Sequence, residues 1–545
     1  MFKRYGQMVK LEFSGYNFGK LTKDLLAGLT VAAVALPLAL AFGVASGADA
    51  AAGLITAIIA GVVTSLLSGA SNQISGPTGA MAVILVPLVV KFGMQGVFFV
   101  CIIAGVITLM AGMFKLGKLI QFIPRPVVTG FTSGIAIIIA LGQLDNFFGT
   151  HSEGTTAIEK IISYGRLGFH PNWQAIICAM IVILFMAFYP KKWNARVPGS
   201  LIGIIISAVV AIGFKMNVAT VGEIPRTLLH PIRIDFTQLE FSSLGKLISP
   251  ALSIAALGMI ESLLCGTCAA NMKKENFDPN QELIGQGISN IIMPFFGGVP
   301  STAAIARSSV AIKSGGQTRL TGVFQALFLV LCMFLLSPIM AKLPLAALAG
   351  VLIMTAWRMN EWHSIKYIFK NKIGDAMAKY LITMIATVVF DLTIAIIIGV
   401  VFALILMAVK LTQIEVEVSK VDNKKLLGKH EDVEKDNENT AVIYITGAMF
   451  FANADAVIKK FKEINSYEKF IIVLRGTNYM DVSAAQVFME HIGELMQNDK
   501  KVYFSGARNN VLKVLKRSGL VALVGENNFY SSVDKILLKE ERVFN

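Results

Sequence analysis

Gly297 to Gly316 reads GGVPSTAAIARSSVAIKSGG, and its setting decides the fold. It lies amid long apolar runs, which places it at membrane depth. It opens Gly-Gly-Val-Pro, which interrupts regular backbone. It then reads as a helix start, with Ser301 and Thr302 as N-cap candidates. The charge nearest that start is Arg307. A helix that begins inside a bilayer presents free N–H groups and a positive dipole end. With Arg307 beside it, that end suits an anion.

The rest of the chain agrees with a membrane setting. Of 545 residues, 55% are hydrophobic and only 15% charged, and the mean hydropathy is +0.65. That excess excludes an ordinary soluble protein and implies a polytopic α-helical membrane protein. The basic start MFKRYGQMVKLEF lacks a short apolar core with a small-residue cleavage site, so no cleaved signal peptide is expected. The net charge of +14 sits in short loops between apolar runs, which points to topology and not to nucleic acid. Cys265 and Cys268 form a C-x-x-C without a second pair and read as small packing residues. No nucleophile–base pair or metal cluster stands out, so neither an enzyme nor a cofactor is expected.

About 20 apolar residues cross a bilayer. Fourteen crossings are expected, near 27–48, 51–69, 78–92, 95–114, 125–147, 173–190, 197–214, 250–271, 282–296, 302–314, 320–341, 344–357, 377–391 and 393–412. With Lys3, Arg4 and Lys10 in the cytoplasm, the loops after even-numbered crossings hold Lys115 and Lys118, Lys273 and Lys274, and Arg358 to Lys372. That distribution obeys the positive-inside rule. The implied layout is a cytoplasmic segment 1–23, a first repeat 24–214, an extracytoplasmic loop 215–246, a second repeat 247–412 and a cytoplasmic domain 413–545.

The two halves echo each other. Gln73-Ile74-Ser75-Gly76-Pro77-Thr78-Gly79 interrupts the first half as Gly297 to Thr302 interrupts the second, each at the third crossing of seven. Seven is odd, so the second repeat is inverted, and two half-helices point their N-termini at each other near the midplane. Ser75, Gly76, Thr78 and Gly79 line the first, and Thr302, Ala303, Ala304 and Ala306 the second. Small side chains there let an anion approach backbone N–H groups. Arg307 adds a fixed charge with a two-point geometry suited to carboxylate or sulfate. Glu261 lies inside the apolar run IAALGMIESLLCG, where a carboxylate is costly unless paired or protonated. It reads either as a proton-coupling acid or as a structural partner of Arg307. Glu282 and Asn290 read as cap or inter-helix hydrogen-bonding groups.

After Leu411 the pattern changes. Ile414 to Val418 alternates as a strand, and 422–439 is a charged loop read as mobile. Strands are then expected at 441–446, 469–474 and 501–505, with helices near 453–464, 483–497, 509–518 and 531–541. This order implies a small α/β domain with a largely parallel sheet.

Together these stretches resemble the SulP family of anion transporters, which includes the mammalian solute carriers of that lineage. The likeness rests on Ala35 to Ala41 (ALPLALA), Ser75-Gly76-Pro77-Thr78, Gly130 to Gly134 (GFTSG), Glu282 to Gly287 (ELIGQG) and Ala304 to Ser309. The C-terminal domain resembles the STAS domain. The resemblance implies seven-plus-seven inverted repeats, a core domain moving against a gate domain, a homodimer, a bacterial cytoplasmic membrane location, and a possible protein partner for the STAS domain. It also implies that Pro37, Leu38 and Phe42 line the cavity from a broken first crossing. Ile260 to Cys265 with Pro294 to Ser308 is most similar to the dicarboxylic acid transporter branch. The bicarbonate branch carries Asp and Thr where this chain has Glu261 and Cys265, lacks an Arg at Arg307, and uses that Asp and Thr to hold sodium. The expected function is secondary anion transport of sulfate, dicarboxylate or bicarbonate class, with a proton as coupling ion. A passive channel or an exchanger is the alternative. Asp481-Val482-Ser483 falls where related STAS proteins carry a phosphorylatable Ser, and reads here as a helix cap.

Overall fold

The computed structural model describes residues 2–118, 124–154, 157–190, 198–238, 244–390, 392–411, 414–421, 439–464 and 466–537. It forms two compact units, Met1–Val401 and Phe402–Asn545.

The first unit is helical. A short amphipathic helix, α1 (Phe2–Glu12), precedes α2 (Phe18–Ala45) and α3 (Ala50–Leu67). Asn17 caps α2 by accepting from Lys20 N at 3.0 Å, and Asp49 caps α3 by accepting from Ala52 N at 2.7 Å. A two-residue strand, β1 (Ser75–Gly76), leads into α4 (Gly79–Met113), which holds the third and fourth crossings. They are joined at Gly93, whose φ of 64° any side chain would resist. Then come α5 (Arg125–Gly142), α6 (Trp173–Phe188) and α7 (Gly199–Gly213).

The second half repeats the plan with α8 (Leu244–Lys273), α9 (Pro279–Ile292), a second strand β2 (Thr302–Ala303), α10 (Ile305–Lys313), α11 (Leu320–Met340), α12 (Leu345–Met359), α13 (Gly374–Val389) and α14 (Leu392–Leu411). Each of the fourteen expected crossings therefore has a helix. Among the described residues, six helices are long and apolar enough to span a membrane alone. The helices sort into two groups. In one, α8 and α9 pack along α4, and α11 along α2 and α3; in the other, α13 packs along α5, and α12 and α7 along α6.

The second unit is a six-stranded sheet flanked by helices. Its strands are β3 (Glu415–Lys420), β4 (Thr440–Met449), β5 (Lys469–Val473), β6 (Thr477–Met480), β7 (Lys501–Ser505) and β8 (Phe529–Tyr530), in the order β3-β4-β5-β7-β8, with β6 on β4. Only the β3–β4 pairing is antiparallel. The helices between the strands bury Phe461, Phe488 and Leu515 against Phe470, Ile472 and Phe504. The alternation of Ile414 to Val418 and the three expected strands are recovered. The short β6 and β8 carry too few residues to show a period of two. The charged loop 422–439 falls almost wholly outside the described residues, as does the end of the last expected helix.

Candidate functional site

The two interruptions meet. β1 and β2 pair antiparallel, Ser75 opposite Ala303 and Gly76 opposite Thr302, and Ala304 N donates to Ile74 O at 2.9 Å. The helices α4 and α10 start immediately beyond these strands, so their N-terminal ends share one place. Thr78 caps α4, its Oγ1 accepting from Met81 N at 3.4 Å. The second cap differs from expectation. Thr302 lies in β2, and the N-cap of α10 is Ala304, which has no side chain to cap with. Strand pairing takes up Thr302 and Ala303, so the helix begins three residues later. Ala304 is half-buried and Ala306 exposed, which leaves the first turn of α10 accessible.

Arg307 is 1% exposed and its guanidinium lies at the end of β1, against Gly76 and Pro77. Its Nη2 donates to Pro77 O. Its Nε and Nη1 find no acceptor among the described residues. A Cβ on Gly76 would lie 2.5 Å from Nη1, so the absent side chain makes room for the guanidinium. Glu261 does not take those donors. It accepts from Thr78 Oγ1 at 3.0 Å, and among the described residues it forms no ion pair with Arg307. Of the two readings of Glu261, neither is decided by this contact: its hydrogen bond goes to the cap of α4, while Arg307 lies close enough to interact with it electrostatically.

Helix α8 holds both strands through one residue. Ser262 O accepts from Gln73 Nε2 at 2.8 Å, and Ser262 Oγ is 2.8 Å from Thr302 Oγ1 and accepts from Ala303 N at 3.3 Å. Ser308 Oγ accepts from Ile74 N at 2.9 Å and from the Cys265 thiol at 3.3 Å. Helix α9 contributes Gln286, donating to Ser75 Oγ at 2.6 Å, and Asn290, bonded to Ser301. Ser262, Ser308 and Gln286 were not singled out in the sequence. The four-residue spacing of Glu282, Gln286 and Asn290 along an apolar helix is the signal that would have found the last of them.

The cavity-lining residues carried over from the family fare unevenly. Phe42 is buried beside Gly79, whose added Cβ would lie 3.1 Å from the Phe42 ring. Pro37 and Leu38 are buried one turn earlier. Helix α2 runs unbroken through Pro37. Residues 230–234 bond to the segment that leads into β2: His230 N donates to Phe296 O at 3.1 Å and Ile234 N to Pro294 O at 3.0 Å. Gly297, with φ 78°, has no room for a Cβ beneath His230 and the Ile232 carbonyl. In the second unit, Asp481 caps the helix Val482–Gln497 by accepting from Ala484 N at 2.6 Å, and Ser483 is exposed.

Residues 21–382 match the Sulfate permease family and residues 432–536 the STAS domain. The protein named "Putative sulfate transporter YvdB" of Bacillus subtilis is 33% identical over 540 residues, covering 96% of this chain and 98% of that one. The bicarbonate transporter BicA of Picosynechococcus sp. is 29% identical over 542 residues, covering 96% and 95%. Among solved structures, the transmembrane domain of a cyanobacterial BicA matches with a TM-score of 0.63 at 29% identity, covering 71% of this chain and 98% of that one. Murine Slc26a9, an anion transporter solved in the inward-facing state, matches with a TM-score of 0.84 over 98% of this chain and 94% of its own; at 16% identity this likeness shows the fold alone. A helical transporter fold followed by a STAS domain, matched along nearly the whole length, makes this chain a multi-pass membrane protein of the sulfate permease family.

Proposed function

We propose that this chain is a secondary active transporter of a small oxyanion, with the anion bound between the N-terminal ends of α4 and α10. The observation that carries the reading is Arg307. A guanidinium that is 1% exposed and keeps two donor nitrogens unpartnered is expensive, because each unmet buried donor costs about 1–3 kcal/mol. An oxyanion seated there would accept from both donors, and the first-turn N–H groups of α10 would add to its binding. Relatives named as sulfate and bicarbonate transporters support those two anions as candidates. A dicarboxylate presents the same carboxylate chemistry.

Coupling is assigned to Glu261 with a proton. Glu261 touches the cap of α4 and not the arginine, so its protonation acts on the helix end that faces the anion. When ionised it accepts the Thr78 hydroxyl, whose oxygen caps α4 at the same time; when protonated it can instead donate to that oxygen, which releases the hydroxyl hydrogen to the anion. The likeness of the whole chain to its family further supports a homodimer in a bacterial cytoplasmic membrane, with the STAS domain in the cytoplasm. The test is uptake into liposomes of sulfate, bicarbonate, succinate and fumarate, with and without an inward proton gradient. The proposal expects one of these to be driven by the gradient and accelerated by unlabelled anion on the far side. Uptake without such acceleration would mark a pore. An unchanged proton dependence in Glu261→Gln would remove the coupling role.

A further inference from the structure

Helix α9 carries three polar side chains at four-residue spacing, Glu282, Gln286 and Asn290, all buried and all on one face. Each bonds a different segment. Glu282 Oε2 accepts from Ser68 Oγ at 2.6 Å and from Gly69 N at 3.1 Å, just beyond the end of α3. Gln286 Nε2 donates to Ser75 Oγ in β1 at 2.6 Å and to Glu282 Oε1 at 3.0 Å. Asn290 Oδ1 accepts from Ser301 N at 2.8 Å and from Ser301 Oγ at 3.1 Å, while its Nδ2 donates to Ser301 O at 3.0 Å, immediately before β2. A pair of two-residue strands is too short to hold its own register. The stripe on α9 supplies it, with Gln286 holding one strand and Asn290 the approach to the other.

We infer that Gln286 is a positioning residue for anion binding, oriented by Glu282 and acting through the Ser75 hydroxyl. Both hydrogens of its amide nitrogen are committed, one to the Glu282 carboxylate and one to Ser75 Oγ. The carboxylate forbids the flipped amide, since that would turn Gln286 Oε1 towards an acceptor. The amide accepts a cost for this arrangement: Oε1 is buried with no partner among the described residues. Because Ser75 Oγ receives a hydrogen from Gln286, its own hydrogen points elsewhere and is available to an oxygen held at the strand pair. Reversing the amide would turn the Ser75 hydroxyl back towards α9 and withdraw that donor.

This inference rests on the anion site proposed above. It is tested with the full-length chain in liposomes by the concentration dependence of labelled sulfate and labelled bicarbonate uptake. The variants are Gln286→Met, Ser75→Ala, their double, and Glu282→Gln. Melting temperature in anion-free detergent is measured for each. Gln286→Met and Ser75→Ala are each expected to raise the half-saturating concentration about three- to tenfold with the maximal rate nearly kept, the worth of one neutral hydrogen bond. The double variant is expected to do no worse than either single one, because both act through the Ser75 hydroxyl, one by removing it and the other by losing its orientation. Glu282→Gln, of the same shape, frees the amide to flip and is expected to give the same rise, so it carries the test if Gln286→Met proves unstable. Additive losses, or a falling maximal rate and melting temperature with an unchanged half-saturating concentration, would overturn the inference and leave a packing role. If the natural chain takes up neither anion saturably, and neither anion raises its melting temperature, the anion-site reading fails and the inference with it.

Discussion

Replacing Arg307 by Met should move stability and affinity in opposite directions. In the anion-free protein, Nε and Nη1 are buried without partners among the described residues, at about 1–3 kcal/mol each. Met keeps most of the apolar stem and removes both donors, which relieves about 2–6 kcal/mol. Against this, Pro77 O loses the hydrogen it receives from Nη2, a cost of about 1–2 kcal/mol. The balance is neutral to favourable for the variant, by about 0–5 kcal/mol. In the anion-bound protein the same change deletes a charge-assisted, two-point contact worth about 3 kcal/mol, or about 150-fold in affinity. Arg307→Lys keeps the charge but not the planar fork and should fall between, about tenfold weaker than the natural chain. The assay is thermal unfolding in detergent, first without anion and then titrated with sulfate and with bicarbonate. The reasoning predicts a melting temperature for Arg307→Met at or above that of the natural chain, and no further rise on adding anion. A lower melting temperature together with an undiminished anion response would show that Arg307 is structural.

Three further outcomes follow from the same geometry. Gly76→Ala should weaken anion binding by driving the guanidinium from its place, since the new Cβ falls 2.5 Å from Nη1, and it should cost far less affinity in the Arg307→Met background, as read by the same titration. His230 Nε2 lies 2.8 Å from Asp49 Oδ2, which raises the histidine's pKa above its usual value against the opposing effect of burial; for Asp49, burial opposes ionisation, but the His230 bond and the Ala52 N–H hold its carboxyl below the usual value. The raised histidine contributes fully below about pH 6.5 and loses its contribution as pH climbs through the folded value, while the lowered aspartate contributes above about pH 4. The pair is therefore strongest between those limits, at roughly 0.5–1 kcal/mol because Asp49 is 54% exposed. Hydrogen exchange at Ile232 and Ile234 should quicken above the intrinsic rate as pH rises from about 6 to 8, and His230→Gln should abolish that pH dependence. Finally, Asp481→Ala removes the cap on Ala484 N and should loosen the helix Val482–Gln497 by about 1 kcal/mol, seen as faster exchange in its first turn of the full-length chain with anion titration unchanged.

Much of this arrangement was readable from residue patterns. Apolar run lengths located the crossings because a bilayer fixes the length of a helix that spans it. The paired Gly/Pro interruptions at 73–79 and 297–302 located the two half-helices because regular backbone breaks at membrane depth only where protein or a cavity satisfies it. What escaped was set by long-range pairing. Thr302 has the side chain of an N-cap, yet it joins β1 across 226 residues of chain (Gly76 to Thr302), and the helix starts at Ala304 instead. Glu261 and Arg307 are the evident charge pair in one dimension. In three dimensions Glu261 meets Thr78, because α8 lies against the start of α4. The family resemblance implied a broken first crossing, but α2 is supported on several sides by α3, α11 and α12 and continues through Pro37. Gln286 carries no charge and sits in an apolar helix, so beyond its place in the ELIGQG stretch only its spacing from Glu282 and Asn290 hints at its role.

The central claim is that an anion sits where the two helix ends meet. The most direct measurement is an experimental structure of the chain with the anion that raises its melting temperature most. The account predicts density between the first turns of α4 and α10, with an oxygen within about 3 Å of Arg307 Nε or Nη1. Density for that anion elsewhere, with Arg307 turned to pair with Glu261, would contradict it.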